Sequence, residues 1–385
     1  MATEAPLRVL FVHHAEMIGG AAASLRCLLD YLPGDRVRAA LLSPTVSLAA
    51  PLSAPALEAH FPAPWWDVRL SPNPLTLLGQ AASLGALIRR LRQAVAQFRP
   101  NVIHANTWPA AIAATRARLP VPVIWHVRDV RIRPPITAAL EGRCEGAIAI
   151  SRFVADFLYD RHFPPDRVHI VYNGVDVERF GAKRPPGDVR LELGLAPDAP
   201  LVCSVARPAP WKEHGLLVEA AALLLRDFPA AHFLFVGAWG PRERRTMDRL
   251  RTRARELGLE RSVTFWGHRD DVPDLLAACD VFWHAAADEP LGRVVLEAMW
   301  MARPVVAVNA GGPAELVQHE RTGLLVSPHD AGALAEGVRR MLSEPDLARS
   351  CGIAARERVL EHFTADRMAR GILAVYERVL RGHVR

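Results

Sequence analysis

Short apolar runs alternate with amphipathic helical stretches along almost the whole chain. That alternation predicts an α/β fold built on parallel sheets. The first run, Leu7 to Val12, leads through His13-His14-Ala-Glu-Met-Ile-Gly19-Gly20 into a helix carrying Leu25, Leu28 and Leu29. Leu84, Leu87, Ile88, Leu91, Val95 and Phe98 follow a close helical stripe and predict a second helix. Pro100 ends it, and Asn101 to Ala105 resumes as a strand. Val121–Val127 and Gly146–Ile150 read as further strands, and Ser151 as the N-cap of a helix with Phe153, Val154 and Phe157. A second series starts at Leu201. Its strands are expected over Leu201–Ala206, His232–Val236, Ser262–Trp266, Val281–Ala285 and Pro304–Val308. Its helices are expected over Leu216–Phe228, Arg242–Leu257, Val272–Ala278 and around Glu297.

Between the series, Pro185, Pro186, Gly187, Pro197 and Pro200 crowd residues 181–200, which read as a hinge. The expected organisation is residues 1–180 as one doubly wound domain, 181–200 as linker and 201–361 as the other domain. From 362 to 385 a closing helix carries Met368, Ile372, Val375, Tyr376 and Val379 on one face. Two Rossmann-like halves separated by a hinge imply a cleft, with ligands beyond the carboxyl ends of the strands. Residues 48–78, with Pro51, Pro55, Pro62, Pro64, Trp65, Trp66, Pro72 and Pro74, read as a poor helix or strand. They are expected as an irregular loop over the core, with a lid, an acceptor edge and a membrane-touching loop as alternatives.

At 385 residues the chain exceeds one ordinary core. Half its residues are hydrophobic and 23% are charged, which excludes a disordered chain. A net charge of +6 permits an anionic ligand or peripheral contact with the anionic inner membrane surface without requiring either. No nucleic-acid-binding signature is present. The five cysteines are scattered with no C-x-x-C, which argues against a disulfide framework and a zinc site and for a reducing cytoplasm. No apolar run reaches the ~18–20 residues a membrane span needs.

The chemistry points to Asp288-Glu289-Pro-Leu-Gly-Arg-Val-Val-Leu-Glu297-Ala-Met. Pro290 suits a helix entry, and Glu297 is the lone carboxylate in the apolar helix that follows. A buried carboxylate needs a partner. Helical side chains lean toward the N-terminus, so Glu297 is expected to point back toward Glu289 and the backbone N–H groups of Leu291 to Val294. A helix N-terminus favours phosphate, so two carboxylates there describe a nucleotide-sugar pocket. The structural alternative is one satisfied core glutamate with a surface glutamate before it.

Arg207-Pro-Ala-Pro-Trp-Lys212 follows the strand at Leu201 and places two cations where a diphosphate could leave. Glycosyl transfer builds negative charge on the leaving group, where fixed cations act best. No Asp-x-Asp pair stands ready for a divalent metal. Gly19-Gly20 permits close backbone approach to a ligand or is a simple turn. His126, near the end of its strand, is a cleft candidate or a structural histidine.

Taken together, these pieces resemble the retaining GT-B glycosyltransferases of family 4 (glycosyl transferases group 1). The matching segments begin with Ile18-Gly-Gly, Ile103-His-Ala-Asn106, His126-Val-Arg-Asp, Ala149-Ile-Ser151-Arg-Phe-Val-Ala-Asp and Val171-Tyr-Asn-Gly-Val-Asp176…Phe180. They continue with Arg207…Lys212, Phe265-Trp-Gly-His268, the Glu289–Glu297 segment, Pro304-Val-Val-Ala, Gly311-Gly-Pro-Ala-Glu315 and Thr322-Gly-Leu-Leu-Val326. They cover nearly the whole chain in the family's order.

The resemblance implies an acceptor-side first domain, a donor-binding second domain and a last helix crossing back to the first. It implies Arg207 and Lys212 on the donor diphosphate, Glu297 on the ribose and Glu289 on the donor sugar. Backbone amides over Leu291, Gly292, Arg293 and Val294 would meet the sugar and phosphates, and the backbone at His268 the base. Gly19, Gly20 and His126 would close over the donor. The implied reaction moves a hexosyl group from a UDP- or GDP-linked donor to a hydroxyl of a glycan, lipid-linked or small-molecule acceptor. No cofactor, metal or nucleic acid is expected. A non-catalytic nucleotide-sugar binder and a nucleotide-sugar epimerase on the same fold are the alternatives. Three departures stand out: Ala206 and Glu213 replace frequent glycines, Arg303 replaces a small residue, and Leu291 stands where Phe is frequent.

Overall fold

The computed structural model describes residues 5–14, 19–44, 54–64, 73–241 and 243–383. It divides into two compact units, residues 1–174 with 365–385 and residues 175–364. No helix among the described residues is long and apolar enough to cross a membrane.

The first unit runs β1 (Leu7–Val12), α1 (Gly20–Tyr31), β2 (Val37–Ser43), β3 (Leu57–Pro62), α2 (Pro74–Phe98) and β4 (Val102–Ala105). It continues through α3 (Trp108–Arg116), β5 (Val123–Val127), α4 (Pro134–Glu141), β6 (Gly146–Ala149), α5 (Arg152–Tyr159) and β7 (Val168–Ile170). The strand order is β3-β2-β1-β4-β5-β6-β7, and neighbours pair in parallel. Strands β4, β5 and β6 are buried throughout, as a parallel sheet covered on both faces requires. Ser151 caps α5, its Oγ accepting the Val154 N–H at 3.0 Å.

Two expectations are corrected here. Helix α2 starts at Pro74 rather than near Leu84, because no proline interrupts residues 75–98 and Leu, Ala, Gln and Arg favour the helix. Within the proline-rich 48–78 stretch, Leu57–Pro62 forms β3 instead of irregular loop. It is an edge strand, the place where a sheet tolerates proline. Much of that stretch, 48–53 and 65–72, lies outside the described residues, as does Ile18.

The second unit runs α6 (Pro186–Glu192), β8 (Leu201–Val205), α7 (His214–Leu224), β9 (His232–Val236), α8 (Arg244–Glu256) and β10 (Val263–Trp266). It continues through α9 (Val272–Ala278), β11 (Val281–His284), α10 (Arg293–Trp300), β12 (Val305–Val308) and α11 (Pro313–Leu316). Then come β13 (Leu324–Val326), α12 (Ala331–Ser343) and α13 (Pro345–His362). The strand order is β10-β9-β8-β11-β12-β13, again parallel. Phe233 and Trp283 stack with centroids 5.5 Å apart in its core.

Residues 181–200, read as a hinge, fold with this unit. Pro185 and Pro186 begin α6, a favoured place for proline. Asp274 Oδ1 accepts the backbone N–H groups of Lys183 (2.6 Å) and Arg184 (3.1 Å). Arg190 donates to Ala199 O and Asp280 Oδ2, each at 2.7 Å. The prolines start a docked helix rather than loosening the chain.

The final helix, α14 (Ala365–His383), belongs to the first unit. It begins at Ala365 rather than His362, because His362 closes α13 and Phe363 leaves helical geometry at φ −131°, ψ 36°. Met368, Ala369, Ile372, Leu373 and Tyr376 are buried in one cluster with Leu25, Leu28 and Leu29 of α1. Their spacing is the apolar stripe a helix needs to dock.

Candidate active site

In the second sheet the strand order reverses between β8 and β11, and the loops leaving their carboxyl ends become neighbours. After β8, Pro210–Lys212 closes a short 3-10 turn. Lys212 Nζ lies 4.3 Å from the centroid of the Trp211 ring and donates to Glu289 Oε2 in the loop after β11. His284, the last residue of β11, holds Nε2 3.5 Å from the same oxygen, without a formed hydrogen bond. Side-chain exposures are 13% for Lys212, 11% for Glu289 and 2% for His284. Burial alone would raise the Glu289 pKa, but the Lys212 charge and the His284 contact overcome it and hold it down at about 2. Burial, reinforced by Lys212, pushes His214 at the start of α7 down to about 3, so that imidazole is neutral.

Backbone constraints hold the Glu289 loop. Gly311, at φ 58°, leaves no room for a side chain: a Cβ would fall 2.5 Å from Ala287 O and 2.8 Å from Glu289 O. The Gly312 N–H donates to Glu289 O at 2.8 Å. Gly292, at φ 91°, turns the chain into α10.

Glu297 is buried in α10, as its apolar neighbours predict, and its partner is Arg293 one turn earlier, Nη2 to Oε1 at 2.9 Å. Burial raises its pKa and Arg293 partly offsets that. Leu291 is buried beside this turn, while Arg293 and Val294 form the start of α10, where the helix field is positive. Arg207 and Lys212, expected to act as one clamp, turn to different carboxylates. Arg207 Nη1 lies 3.4 Å from Glu243 Oε1, with its side chain 45% exposed. His268 is exposed beyond the edge strand β10, its Nε2 3.0 Å from Asp270 Oδ1. Arg303, whose direction the sequence left open, donates to the carbonyls of Met301, Ala277 and Cys279. Among the described residues no group of three or more His, Cys, Asp and Glu is placed to hold a metal ion.

The first sheet reverses between β1 and β4. Gly19 and Gly20 open α1 beyond β1, Gly19 in extended backbone, with open space where a Gly20 Cβ would sit. His126 is fully buried near the end of β5 within a polar network. Arg128 donates through Nε to Asn106 Oδ1 (2.9 Å), through Nη1 to Asn173 Oδ1 (2.8 Å) and through Nη2 to His126 Nδ1 (3.1 Å). His126 Nδ1 also meets His104 Nε2 at 3.1 Å, and His104 Nδ1 meets Tyr376 Oη at 2.7 Å. Asn106 Nδ2 donates to His13 Nδ1 at 3.0 Å. Burial and the neighbouring Arg128 charge hold His104 and His126 far below the usual histidine range. Burial, then His14 and Arg128, hold His13 at about 3. Sequence reasoning gave His13, Asn106, Arg128, Asn173 and His284 no role. Their shared signal is position: His13, Asn106, Arg128 and His284 stand at or just past the carboxyl ends of strands.

Residues 188–358 match the family described as Glycosyl transferases group 1, and residues 18–179 match Glycosyltransferase Family 4. An alpha-maltose-1-phosphate synthase of Mycolicibacterium smegmatis is 32% identical over 341 residues, 80% of this chain and 86% of that protein. The chain belongs to the family 4 GT-B glycosyltransferases. A D-inositol 3-phosphate glycosyltransferase of Jonesia denitrificans is 33% identical over 309 residues, 72% of each protein. The GT-B fold recurs in Anabaena HepE, solved with UDP-glucose, at TM-score 0.82 and 24% identity over 97% of this chain and all of that one. It recurs in a sucrose-phosphate synthase of Thermosynechococcus elongatus at TM-score 0.79 and 23% identity, covering 98% of this chain and 100% of that one. As a GT-B glycosyltransferase the chain uses a nucleotide-sugar donor.

The depressed pKa of Glu289 gives a stability test. Its folded value, about 2, lies below the ordinary 4.5. The stabilisation is therefore present above pH 4.5 and lost as pH falls toward 2. Urea unfolding of the native enzyme and Glu289→Gln at pH 6.5 and pH 3.5 should show a clear stability gap that narrows at the lower pH. A gap independent of pH would mean that the carboxylate is not held ionised by Lys212.

Proposed function

We propose that this glycosyltransferase is a retaining, metal-independent hexosyltransferase. Its donor is a UDP- or GDP-linked hexose held by the second unit, and its acceptor is a hydroxyl of a small phosphorylated sugar or polyol met by the first. The observation that carries this reading is the buried Lys212–Glu289 pair at the point where the second sheet's order reverses. In the reaction the bond from the sugar C1 to the phosphate oxygen breaks, the acceptor oxygen bonds C1, and the acceptor proton passes to the departing diphosphate. Negative charge gathers on the leaving diphosphate and positive charge on the sugar ring.

An ammonium already desolvated by the protein is well placed for the leaving charge, because no water has to reorganise around it. When diphosphate binds, Lys212 can exchange Glu289 for phosphate oxygens and release the carboxylate toward the sugar. The first turn of α10 adds the positive end of its helix. Glu297, held one turn along by Arg293, is the candidate for the ribose hydroxyls. Arg207 lies exposed enough to leave Glu243 for a phosphate. The acceptor class is supported by the alpha-maltose-1-phosphate synthase and D-inositol 3-phosphate glycosyltransferases among the relatives. UDP-glucose, which Anabaena HepE holds in the same fold, is the first donor to try.

Stereochemistry and metal use are checked together. UDP-glucose with a panel of sugar and inositol phosphates should give an α-linked product by proton NMR, at a rate unchanged by EDTA. A β-linked product would refute retention. Loss of turnover in EDTA with recovery on Mn²⁺ would refute metal independence, and donor binding without any turnover would favour a non-catalytic binder.

The two glutamates should fail differently. Glu289→Gln should lower kcat by roughly two orders of magnitude, about 3 kcal/mol of barrier, since its charge matters most when the sugar becomes cationic. Glu297→Gln should mainly raise the donor KM, because the ribose does not change during the reaction. The reverse pattern in steady-state kinetics would exchange the two roles.

A further inference from the structure

Among the described residues, two side chains reach the Glu289 carboxylate, Lys212 through a hydrogen bond and His284 without one. His284 Nε2 is buried with no hydrogen-bond partner, although it lies 3.5 Å from Glu289 Oε2. A buried polar atom without a partner is costly and calls for an explanation. An ionised carboxylate only accepts hydrogen bonds. A nitrogen lone pair facing that oxygen would add repulsion to the cost of burial, so Nε2 carries a proton. A desolvated donor thus stands beside a carboxylate already taken by a cation. The two partners differ in how freely they can leave. His284 ends β11 and pairs with Ala307 of β12, so its backbone is fixed in the sheet. Glu289 is fixed as well, since the Gly312 N–H holds its carbonyl at 2.8 Å and Gly311 packs against its backbone. Lys212 closes a short turn and carries its charge on a flexible stem. When that ammonium turns to another anion, the Glu289 backbone cannot follow it. Burial would then favour a protonated carboxyl. Among the described residues, the donor left beside it is His284.

We propose that His284 is a positioning residue whose Nε2–H takes over the Glu289 carboxylate when Lys212 leaves it for the donor diphosphate. That the diphosphate draws Lys212 away rests on the proposed function; the hand-over from one donor to the other does not. Both donors address Oε2, so Oε1 stays free for the sugar throughout. The carboxylate keeps its charge and its aim at the stage when the sugar becomes cationic. The balance of effects on Glu289 agrees: burial pushes its pKa up, while Lys212 and then His284 bring it down. The hand-over breaks no covalent bond and moves no proton between residues; one hydrogen bond replaces another.

The test follows the His284 ring by long-range proton–nitrogen correlation and the Glu289 carboxyl by carbon NMR in labelled full-length protein, assigned with His284→Gln and Glu289→Gln. In the wild-type protein at pH 7 the His284 ring should carry a proton on Nε2. A ring protonated on Nδ1 alone overturns the proposal, and needs no variant to fold. Lys212→Met keeps most of the stem without its charge, and so makes the cation's departure permanent with no donor present. There the His284 Nε2–H resonance should move downfield while the Glu289 carboxyl stays ionised at pH 7, and adding His284→Phe should let that carboxyl take up a proton. A resonance that stays put in Lys212→Met, or a carboxyl protonated there with His284 in place, overturns the hand-over. In steady-state kinetics His284→Phe should lower kcat about tenfold, the loss of one hydrogen bond to a charged group, with little change in donor KM. His284→Gln, whose amide can still donate, should keep most of the rate. An unchanged kcat in His284→Phe overturns the positioning role. UDP or GDP, whichever binds the wild-type enzyme by calorimetry, should reproduce the downfield move. Binding without that move, or no binding by either, would instead contradict the proposed function, with the hand-over standing as measured in Lys212→Met.

Discussion

A carboxylate buried in protein stays ionised only if something positive is buried with it, and at Glu289 that partner is Lys212. The two residues are far apart in sequence. They meet because β8 and β11 are hydrogen-bonded neighbours, so the loops beyond both strands emerge side by side. The rest of the second unit serves that meeting. Gly311 presses against the Glu289 backbone, Gly312 donates to its carbonyl, Gly292 turns the chain into α10, and His284 adds its ring to the carboxylate. An ion pair this buried is weak support for stability, since apolar residues could fill the space at less cost. It is better understood as a preorganised cation waiting for a better anion than Glu289, which is what a departing diphosphate would be.

The first unit follows the same logic with different chemistry. Its polar centre is also gathered at and beyond the carboxyl ends of strands, where the Arg128 guanidinium meets rings and amides. Arg128 meets two asparagine oxygens and a ring nitrogen. Its field is what keeps His104 and His126 uncharged beyond the effect of burial. The C-terminal helix contributes directly, since Tyr376 reaches His104 from α14 while the same helix packs its apolar face on α1.

Much of this was legible in the sequence, and the limits have physical causes. Fully buried parallel strands read as unbroken apolar runs, so β4, β5, β8 and β9 stand where the pattern places them. Ser151 caps α5 because a short hydroxyl before an apolar stripe has little else to do. The carboxylate in α10 was predicted to need a partner, and Arg293 is that partner at the i, i+4 spacing. Edge strand β3 escaped because Pro62 is tolerated only for want of a neighbour on one side, a fact about the sheet and not the segment. Residues 181–200 looked loose because proline marks both hinges and helix starts, and Asp274 and Asp280 decide between them from far along the chain. Arg207 and Lys212 were read together from one loop, and the carboxylates they meet here, Glu243 and Glu289, come from segments the loop does not reveal. Of the histidine network only His126 was singled out, because the other members lie on β4 and α14 and in the segments after β1, β4, β5 and β7.

The central claim is that Lys212 is the cation reserved for the donor diphosphate. Isothermal titration calorimetry of the nucleoside diphosphate that binds, UDP or GDP, against its nucleoside isolates the contribution of the phosphates. The wild-type enzyme should bind the diphosphate far more tightly than the nucleoside, and Lys212→Ala should lose most of that margin while binding the nucleoside as before. An undiminished margin in Lys212→Ala would show that the phosphates are held elsewhere and would contradict the account.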